Sequence, residues 1–308
     1  MFLKNKFSLW LLFFLSIIIY SLIGFYIKRE EFFILIISFI FLFIFHFYFL
    51  KKEINLKSIF ILGIVFRLSL MISVPELSQD FYRFIWDGSI QILGINPYLY
   101  KPNTLINLVQ FPLSDLLFSK MGNLSSMNFS NYPPISQYVY YISGYFNNGE
   151  IIKPLITIRI IILMSEIFLF FGVKNLLIKL GKNPLLIGWY FLNPMIIIET
   201  IGNLHGEILM ILFLIFSFFY LFEKKIFLSS FFMSLSIATK LLPILIVPIF
   251  INYLGIKKFI HFITYLVLFS FLIWAPLFEE EVILNFTNTI YLWFNSFEFN
   301  ASIYYIIR

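Results

Sequence analysis

Long apolar runs separated by short charged segments set the pattern of this chain. Mostly apolar runs that approach or exceed about 18 residues predict transmembrane helices. The runs predict spans over residues 8–27, 32–50, 58–75, 154–173, 184–199, 207–222 and 259–277. The first run lacks a small-residue cleavage site and is long for a signal peptide, so it predicts a retained helix.

The apolar segment 226–252 does not fit one span or two full spans. Lysine pairs on both sides of it predict cytoplasmic ends, so the chain between them should cross the membrane an even number of times. A pair of short helices that turns near residues 238–243, with Lys240 at its tip, satisfies that count. One long tilted helix with a snorkelling lysine is the alternative, and it would invert everything after it.

The longest polar segment, residues 76–153, is too long for a simple connector. Within it, residues 80–93 have helical spacing of apolar positions, and Asn96-Pro97-Tyr98 predicts a turn after that helix. Tyr132-Pro133-Pro134 predicts the start of a second, aromatic-rich helix. We therefore expect a loop that carries helices lying along the membrane surface.

Composition agrees with a membrane protein and removes several other classes. The chain is 61% hydrophobic and only 12% charged, whereas a soluble domain carries about 25% charged residues. The net charge of +6 is therefore no sign of nucleic-acid binding. The absence of cysteine excludes disulfides and thiol chemistry. We expect an all-α polytopic membrane protein, with 1–308 as a single transmembrane domain of about eight or nine membrane segments.

Charged residues predict the orientation. Basic residues crowd the short loops on one side, which is typical of the cytoplasmic face. They are Lys4, Lys6, Lys51, Lys52, Lys57, Lys174, Lys179, Lys182, Lys224, Lys225, Lys257 and Lys258. Most acidic residues fall on the opposite side, together with the loop 76–153. We therefore expect the polar chemistry on the extracytoplasmic face.

The loop opens with a charged triad on one helical stretch. Asp80 and Asp87 are seven residues apart and share a helix face, and Arg83 can pair with either. A carboxylate just outside the bilayer can act as a general base toward a hydroxyl, especially where partial burial raises its pKa. A helix cap at Asp80 with a solvated ion pair explains the same spacing equally well.

A second polar group lies between two later spans, on the same predicted side. The stretch from Glu199 to Glu207 places Glu199, Asn203, His205 and Glu207 within an otherwise apolar hairpin. His205 can donate to a phosphate or sugar oxygen, and the carboxylates can hold hydroxyls. An ordinary loop with Asn203 as a helix cap is the alternative. The spacing matches no standard metal-ligand pattern, so we expect no metal site.

Three ionisable residues fall inside predicted spans, where charge is costly. Arg159 and Glu166 share a helix face but are about 10 Å apart along the axis, too far to pair. An ion pair between Arg67 and Glu166 is one interpretation, and a role in binding an anionic ligand is the other.

Together these motifs resemble a known group. Asp80-Phe-Tyr-Arg-Phe-Ile-Trp-Asp-Gly, Gly94-Ile-Asn-Pro-Tyr, Tyr132-Pro-Pro, Asn193-Pro, Gly202-Asn-Leu-His-Gly-Glu and Thr239-Lys-Leu-Leu-Pro follow in order. This order resembles integral-membrane glycosyltransferases of the GT-C fold. It is most similar to bacterial polyprenyl-phosphate-mannose-dependent mannosyltransferase-like proteins, and fainter likeness extends to the GPI mannosyltransferase. The likeness runs from about residue 60 to 250.

The resemblance implies a reaction and a site. It implies a GT-C-like helical bundle in which Asp80 is the catalytic base. It implies inverting transfer of a hexose, with mannose favoured, from a polyprenyl-phosphate donor to a glycan or glycolipid hydroxyl. The substrate-binding candidates are Tyr82, Arg83, Asp87, Asn96, Tyr98, Glu199, Asn203, His205, Glu207 and Lys240. No cofactor or metal is expected, and a bacterial inner membrane with the site on its outer face is the expected location.

Two departures from the resembled group stand out. Gln79 occupies a position where related sequences often carry a second acid, which leaves Asp80 as the candidate base. The carboxy-terminal half is short for such an enzyme, which suggests a truncated end. A lipid or polysaccharide flippase, a small-solute transporter and a catalytically degenerate relative remain as alternatives, because broken helices with intramembrane charges also suit transport.

Overall fold

The computed structural model describes residues 6–52 and 54–295, and within these it contains helices and no strand. This confirms the all-α prediction. Lys4 and the tail beyond residue 295 lie outside the described residues. Four helices are long and apolar enough to cross a membrane, and a bent pair can supply a fifth. The polytopic membrane assignment is therefore confirmed by length and composition.

The amino-terminal part is an antiparallel pair of long apolar helices followed by a short one. Ser8 near the start of the first helix lies 3.1 Å from the hydroxyl of Tyr48 near the end of the second, which fixes their opposite directions. Asn55 caps the third helix by accepting a hydrogen bond from the backbone N–H of Ser58. The bounds are α1 (Lys6–Phe25), α2 (Phe32–Lys51) and α3 (Leu56–Leu68).

The third predicted span, 58–75, is wrong at its end. The helix stops at Leu68, and residues 69–75 form turns in which Ser69 and Ser73 donate to the carbonyls of Phe66 and Leu70. Hydropathy reads this segment as a continuation of the helix because its residues are apolar. The turn is stable at that depth because a side chain from another helix binds its carbonyl groups, as described below.

The polar loop contains the two predicted helices and three shorter ones. They are α4 (Asp80–Ile92), α5 (Pro102–Leu105), α6 (Ser114–Lys120), α7 (Gly122–Ser126) and α8 (Pro134–Gly144). α4 and α8 approach closely because each has glycine at the crossing. A Cβ atom on Gly88 would lie 1.9 Å from the carbonyl oxygen of Tyr140, and one on Gly144 would lie 2.4 Å from that of Gly88.

A long helix and a broken one follow the loop. α9 (Ile152–Lys179) spans 28 residues. The next span bends by 58° at Asn193, which caps the second half. Its parts are a 3-10 turn (Pro184–Ile187), α10 (Gly188–Phe191), α11 (Pro194–Ile197) and a π-helical turn (Ile198–Gly202). The predicted Arg67–Glu166 ion pair is confirmed, with Nη2 to Oε2 at 3.1 Å between two fully buried side chains.

The segment 226–254 folds back on itself, as the hairpin interpretation predicts. Lys240 at its tip donates to Glu207 at the start of the preceding helix. Tyr253 returns to lie 5.6 Å, ring centre to ring centre, from Phe222 at the other end of that helix. The elements are α12 (Glu207–Phe222), α13 (Ile226–Thr239), a 3-10 helix (Leu242–Ile249), α14 (Phe250–Leu254), α15 (Ile256–Trp274), a 3-10 turn (Ala275–Leu277) and α16 (Glu280–Asn295).

Candidate functional site

Asp80 lies at the first turn of α4, where the loop leaves the bundle. Its backbone N–H donates to the hydroxyl of Ser78, and its carboxylate lies 3.9 Å from Nε2 of His205. The Asp80 side chain is 46% exposed. The two stretches that carry these residues are more than 120 positions apart in sequence, so their contact is a property of the fold.

His205 is held by a carboxylate on its far side. Nδ1 donates to Oε2 of Glu199 at 2.7 Å, and Nε2 faces Ser78 at 3.5 Å and Asp80. Because the Glu199 contact fixes which ring nitrogen donates there, the other nitrogen is oriented toward Asp80. The turn reaches this geometry through Leu204, which has a left-handed backbone with φ of 63°.

Three further side chains complete a cluster around this pair. Asn203 donates to the same carboxylate oxygen of Glu199 at 3.3 Å. Lys240 donates to Glu207 from the tip of the 226–254 hairpin. We call Asp80, Glu199, Asn203, His205, Glu207 and Lys240 the polar cluster. It joins α4, the π-helical turn, α12 and the hairpin at one end of the bundle.

Electrostatics within the polar cluster act on both titrating groups of the pair. Burial raises the pKa of Asp80 above its usual range, against the opposing effect of His205. Burial alone would lower the pKa of His205. The hydrogen bond to Glu199 and the charges of Glu207, Glu199 and Asp80 outweigh it, so the pKa of His205 is raised. The cluster therefore favours a protonated imidazole beside a more basic aspartate.

Two recesses border the turn that carries His205. One small recess is lined by Gly24, Leu70, Ser73 and Asn203, among others. The other, also small and mostly apolar, is lined by Tyr140, Ile162, Leu204 and Gly206, among others. The polar cluster thus adjoins both a recess with polar edges and an apolar one.

A family comparison bears directly on this cluster. Residues 27–255 match the family model described as alpha-(1->6)-mannopyranosyltransferase, N-terminal domain. The chain belongs to this mannosyltransferase family. The matched range contains every member of the polar cluster, and it confirms the resemblance to membrane mannosyltransferases drawn from the motifs.

The chain is also similar to one mycobacterial protein. Over 147 residues the chain is 24% identical to alpha-(1->6)-mannopyranosyltransferase A of Mycobacterium tuberculosis. The match covers 46% of this chain and 26% of that protein, so it spans about a quarter of the relative's length. No solved structure matches the chain.

Four of the predicted substrate-binding residues of this mannosyltransferase-family chain have hydrogen-bond or ion-pair partners within the chain. Arg83 and Asp87 form a buried ion pair at 2.6 Å. Asp87 also accepts hydrogen bonds from Ser130 and Gln137, so its oxygens are occupied. Arg83 also donates to the carbonyls of Ser125 and Asn128. The pair thus connects α4 to the loop and to α8, and a role of either residue toward substrate stays a prediction.

Asn96 and Tyr98 of the following turn likewise have partners within the chain, and their substrate roles also stay predictions. The Asn96 amide donates to the carbonyl of Leu277 at 2.9 Å and to Glu279. Tyr98 is fully buried, and its hydroxyl donates to the carbonyl of Tyr132. Both side chains fasten the loop to neighbouring segments. Tyr82 is half-buried with its ring against Phe81, and its substrate role stays a prediction as well.

Sequence reasoning missed one contact of the site, and its prediction of no metal is untested. Ser78 touches both Asp80 and His205, and its place two residues before Asp80 is the signal that could have identified it. Residues 6–52 and 54–295 hold no group of three or more Asp, Glu or His side chains arranged to bind a metal ion. Whether transfer needs a divalent cation stays a prediction.

Proposed function

We propose that this chain carries the catalytic part of a membrane mannosyltransferase that transfers mannose from a polyprenyl-phosphate donor to a hydroxyl acceptor. The observation that carries the proposal is the contact of Asp80 with the His205–Glu199 pair, in a chain of this family. Sidedness follows from the lysine distribution, which favours an extracytoplasmic site. A glycan or glycolipid is the acceptor class.

Asp80 acts as the general base in this mechanism. The acceptor hydroxyl attacks the anomeric carbon from the face opposite the phosphate and gives its proton to Asp80. The new carbon–oxygen bond forms as the bond to the phosphate oxygen breaks, and the electron pair leaves with the polyprenyl phosphate, which inverts the anomeric centre. The raised pKa of Asp80 makes its carboxylate a stronger base than that of an ordinary aspartate.

The cations of the polar cluster meet the departing phosphate. His205, whose pKa Glu199 and the neighbouring acids raise, supplies one positive charge in its protonated form. Lys240, about half-exposed and paired with Glu207, supplies the second. Such groups stabilise charge that develops on the leaving oxygen. We leave Arg83 out of this role because it is buried and paired with Asp87.

Replacement of the base tests the proposal. Asp80→Asn should reduce mannosyl transfer by about 10²-fold or more, measured in vesicles supplied with labelled polyprenyl-phosphate mannose and an acceptor glycan. Asp115→Asn is the matched control, since Asp115 is an exposed acid in the same loop. Wild-type-like transfer by a folded Asp80→Asn variant would exclude Asp80 as the base. Movement of labelled lipid between leaflets without transfer would favour a flippase.

A further inference from the structure

One buried arginine contacts both segments that carry the site. Arg159 on α9 is fully buried. Its Nε donates to the carbonyl of Ile201 at 2.8 Å and its Nη2 to that of Gly202 at 3.1 Å, within the turn that leads to His205. Its Nη1 donates to the carbonyls of Met71, at 3.0 Å, and Ser73.

The same guanidinium also reaches the hydroxyl of Ser73, with Nη2 to Oγ at 3.2 Å. A guanidinium has five N–H donors in a rigid plane, and these five contacts match that number. Four of the acceptors are backbone carbonyls in non-helical or π-helical turns. Because these carbonyls lie outside regular α-helices, they lack the backbone N–H partner that a helix supplies. Inside a membrane protein each of them needs another hydrogen-bond donor. Arg159 therefore satisfies two irregular turns at once.

These two turns lead directly into the proposed machinery. Ser73 stands seven residues before Asp80, and Gly202 stands three before His205. Arg159 thus links the turn that precedes Asp80 to the turn that precedes His205. A second contact lies about two turns further along the same face of α9, where Glu166 accepts a hydrogen bond from Thr200 and pairs with Arg67.

We infer that Arg159 is a positioning residue. It sets the distance between Asp80 and His205 by donating hydrogen bonds to backbone carbonyls of the two turns that precede them. Its action is geometric and needs the planar fork of arginine. Lysine keeps the positive charge but offers a single nitrogen, which cannot span acceptors on two turns. The effect on turnover rests on the proposed mannosyl transfer, whereas the effect on geometry does not.

The natural absence of cysteine allows a direct measurement of this geometry. Glu76→Cys and Gly206→Cys place one spin label beside each turn; Glu76 is exposed, and a Cβ atom on Gly206 meets nothing within 4 Å. In detergent or nanodiscs, the parent pair should give a narrow interspin distance distribution. Arg159→Lys in that background should give a broad or shifted one.

Turnover of the unlabelled variants supplies the second readout. Arg159→Lys should lower kcat by about 10²-fold, as expected for a displacement of reacting groups of about 1 Å, with a much smaller change in donor KM. The matched control is Ser217→Ala with Ser229→Ala, which removes buried hydrogen bonds between α12 and α13 away from the site. That control should keep a narrow distribution and parental kcat.

The outcomes separate this inference from the proposed function. Broadening in Arg159→Lys alone supports positioning, even where no mannosyl transfer is detected in any variant. A narrow, unshifted distribution in a folded Arg159→Lys, or equal broadening in the serine control, overturns it. Where Arg159→Lys does not fold, Ser73→Ala decides, because it keeps Arg159 and removes one acceptor. Broadening there supports the inference, and a parental distribution overturns it.

Discussion

Two aspartates seven residues apart on one helix lie in different environments. Asp80 is half-exposed beside His205, whereas Asp87 is fully buried against Arg83, Ser130 and Gln137. Asp87→Asn leaves Arg83 without its counter-ion in a buried site, which should cost about 3–5 kcal/mol of stability. Asp80→Asn has no such cost.

Thermal unfolding in detergent, run beside the transfer assay, separates the two roles. Asp87→Asn should unfold at a markedly lower temperature, and Asp80→Asn should unfold near the parent while losing transfer. Equal melting temperatures for the two variants would contradict the assignment of Asp87 to a structural pair.

The pH dependence of transfer follows from the shifted pKa values. Asp80 must be ionised to accept a proton, and its pKa is raised, so activity should fall at a higher pH on the acid side than for an ordinary aspartate. His205 must be protonated to meet the phosphate, and its pKa is also raised, so the alkaline fall is displaced upward. The rate of mannosyl transfer plotted against pH should therefore give a bell-shaped curve.

Replacement of Glu199 tests whether His205 sets the alkaline limb of this pH profile. Its hydrogen bond and charge raise the pKa of His205, so Glu199→Gln should move the alkaline limb to lower pH. The acid limb, set mainly by burial of Asp80, should move much less. An unchanged alkaline limb in this variant would show that His205 does not set it.

At the scale of elements, the crossing of α4 and α8 decides where Asp80 sits. Gly88→Ala would place a methyl group 1.9 Å from the carbonyl oxygen of Tyr140, which the helices can accommodate only by moving apart. Overpacking of this kind costs about 1–3 kcal/mol. The variant should therefore melt earlier and lose transfer, because α4 carries Asp80 at its first turn.

A second helical glycine supplies the control for that experiment. Gly172 on α9 has its nearest neighbours at 3.6 Å or more from an added Cβ, an ordinary packing distance. Gly172→Ala should leave both melting and transfer near the parent values. If Gly88→Ala behaved in the same way, the close crossing would not constrain α4.

Local patterns predicted the helices better than the turns. Periodicity identified the helix that begins at Asp80, and the lysine pairs that flank segment 226–252 identified the hairpin around Lys240, because each signal is carried by the segment itself and its flanks. The end of α3 could not be predicted, since the turn after Leu68 depends on Arg159, more than 80 positions away. Asp87 could not be told from Asp80 for the same reason, because its partner Gln137 comes from α8.

At the scale of the whole molecule, the polar cluster lies at one end of the bundle and a lysine–glutamate ion pair lies at the other. The end with the polar cluster holds Asp80, His205 and the tip of the hairpin. At the opposite end, Lys179 of α9 pairs with Glu223 after α12. This division agrees with the orientation that the lysine pattern predicts, in which the polar cluster faces outward.

Single cysteines in the cysteine-free chain test that orientation. Asp115, Lys182 and Lys257 are all exposed, so each substitution to cysteine presents an accessible thiol. A membrane-impermeant maleimide should label Asp115→Cys in intact expressing cells, and Lys182→Cys and Lys257→Cys only after permeabilisation. Because Lys257 follows the hairpin, its cytoplasmic position requires the even number of crossings that the lysine pairs predict between α12 and α15. Labelling of Lys182→Cys in intact cells would reverse the sidedness, and labelling of Lys257→Cys alone would contradict the hairpin as a membrane feature.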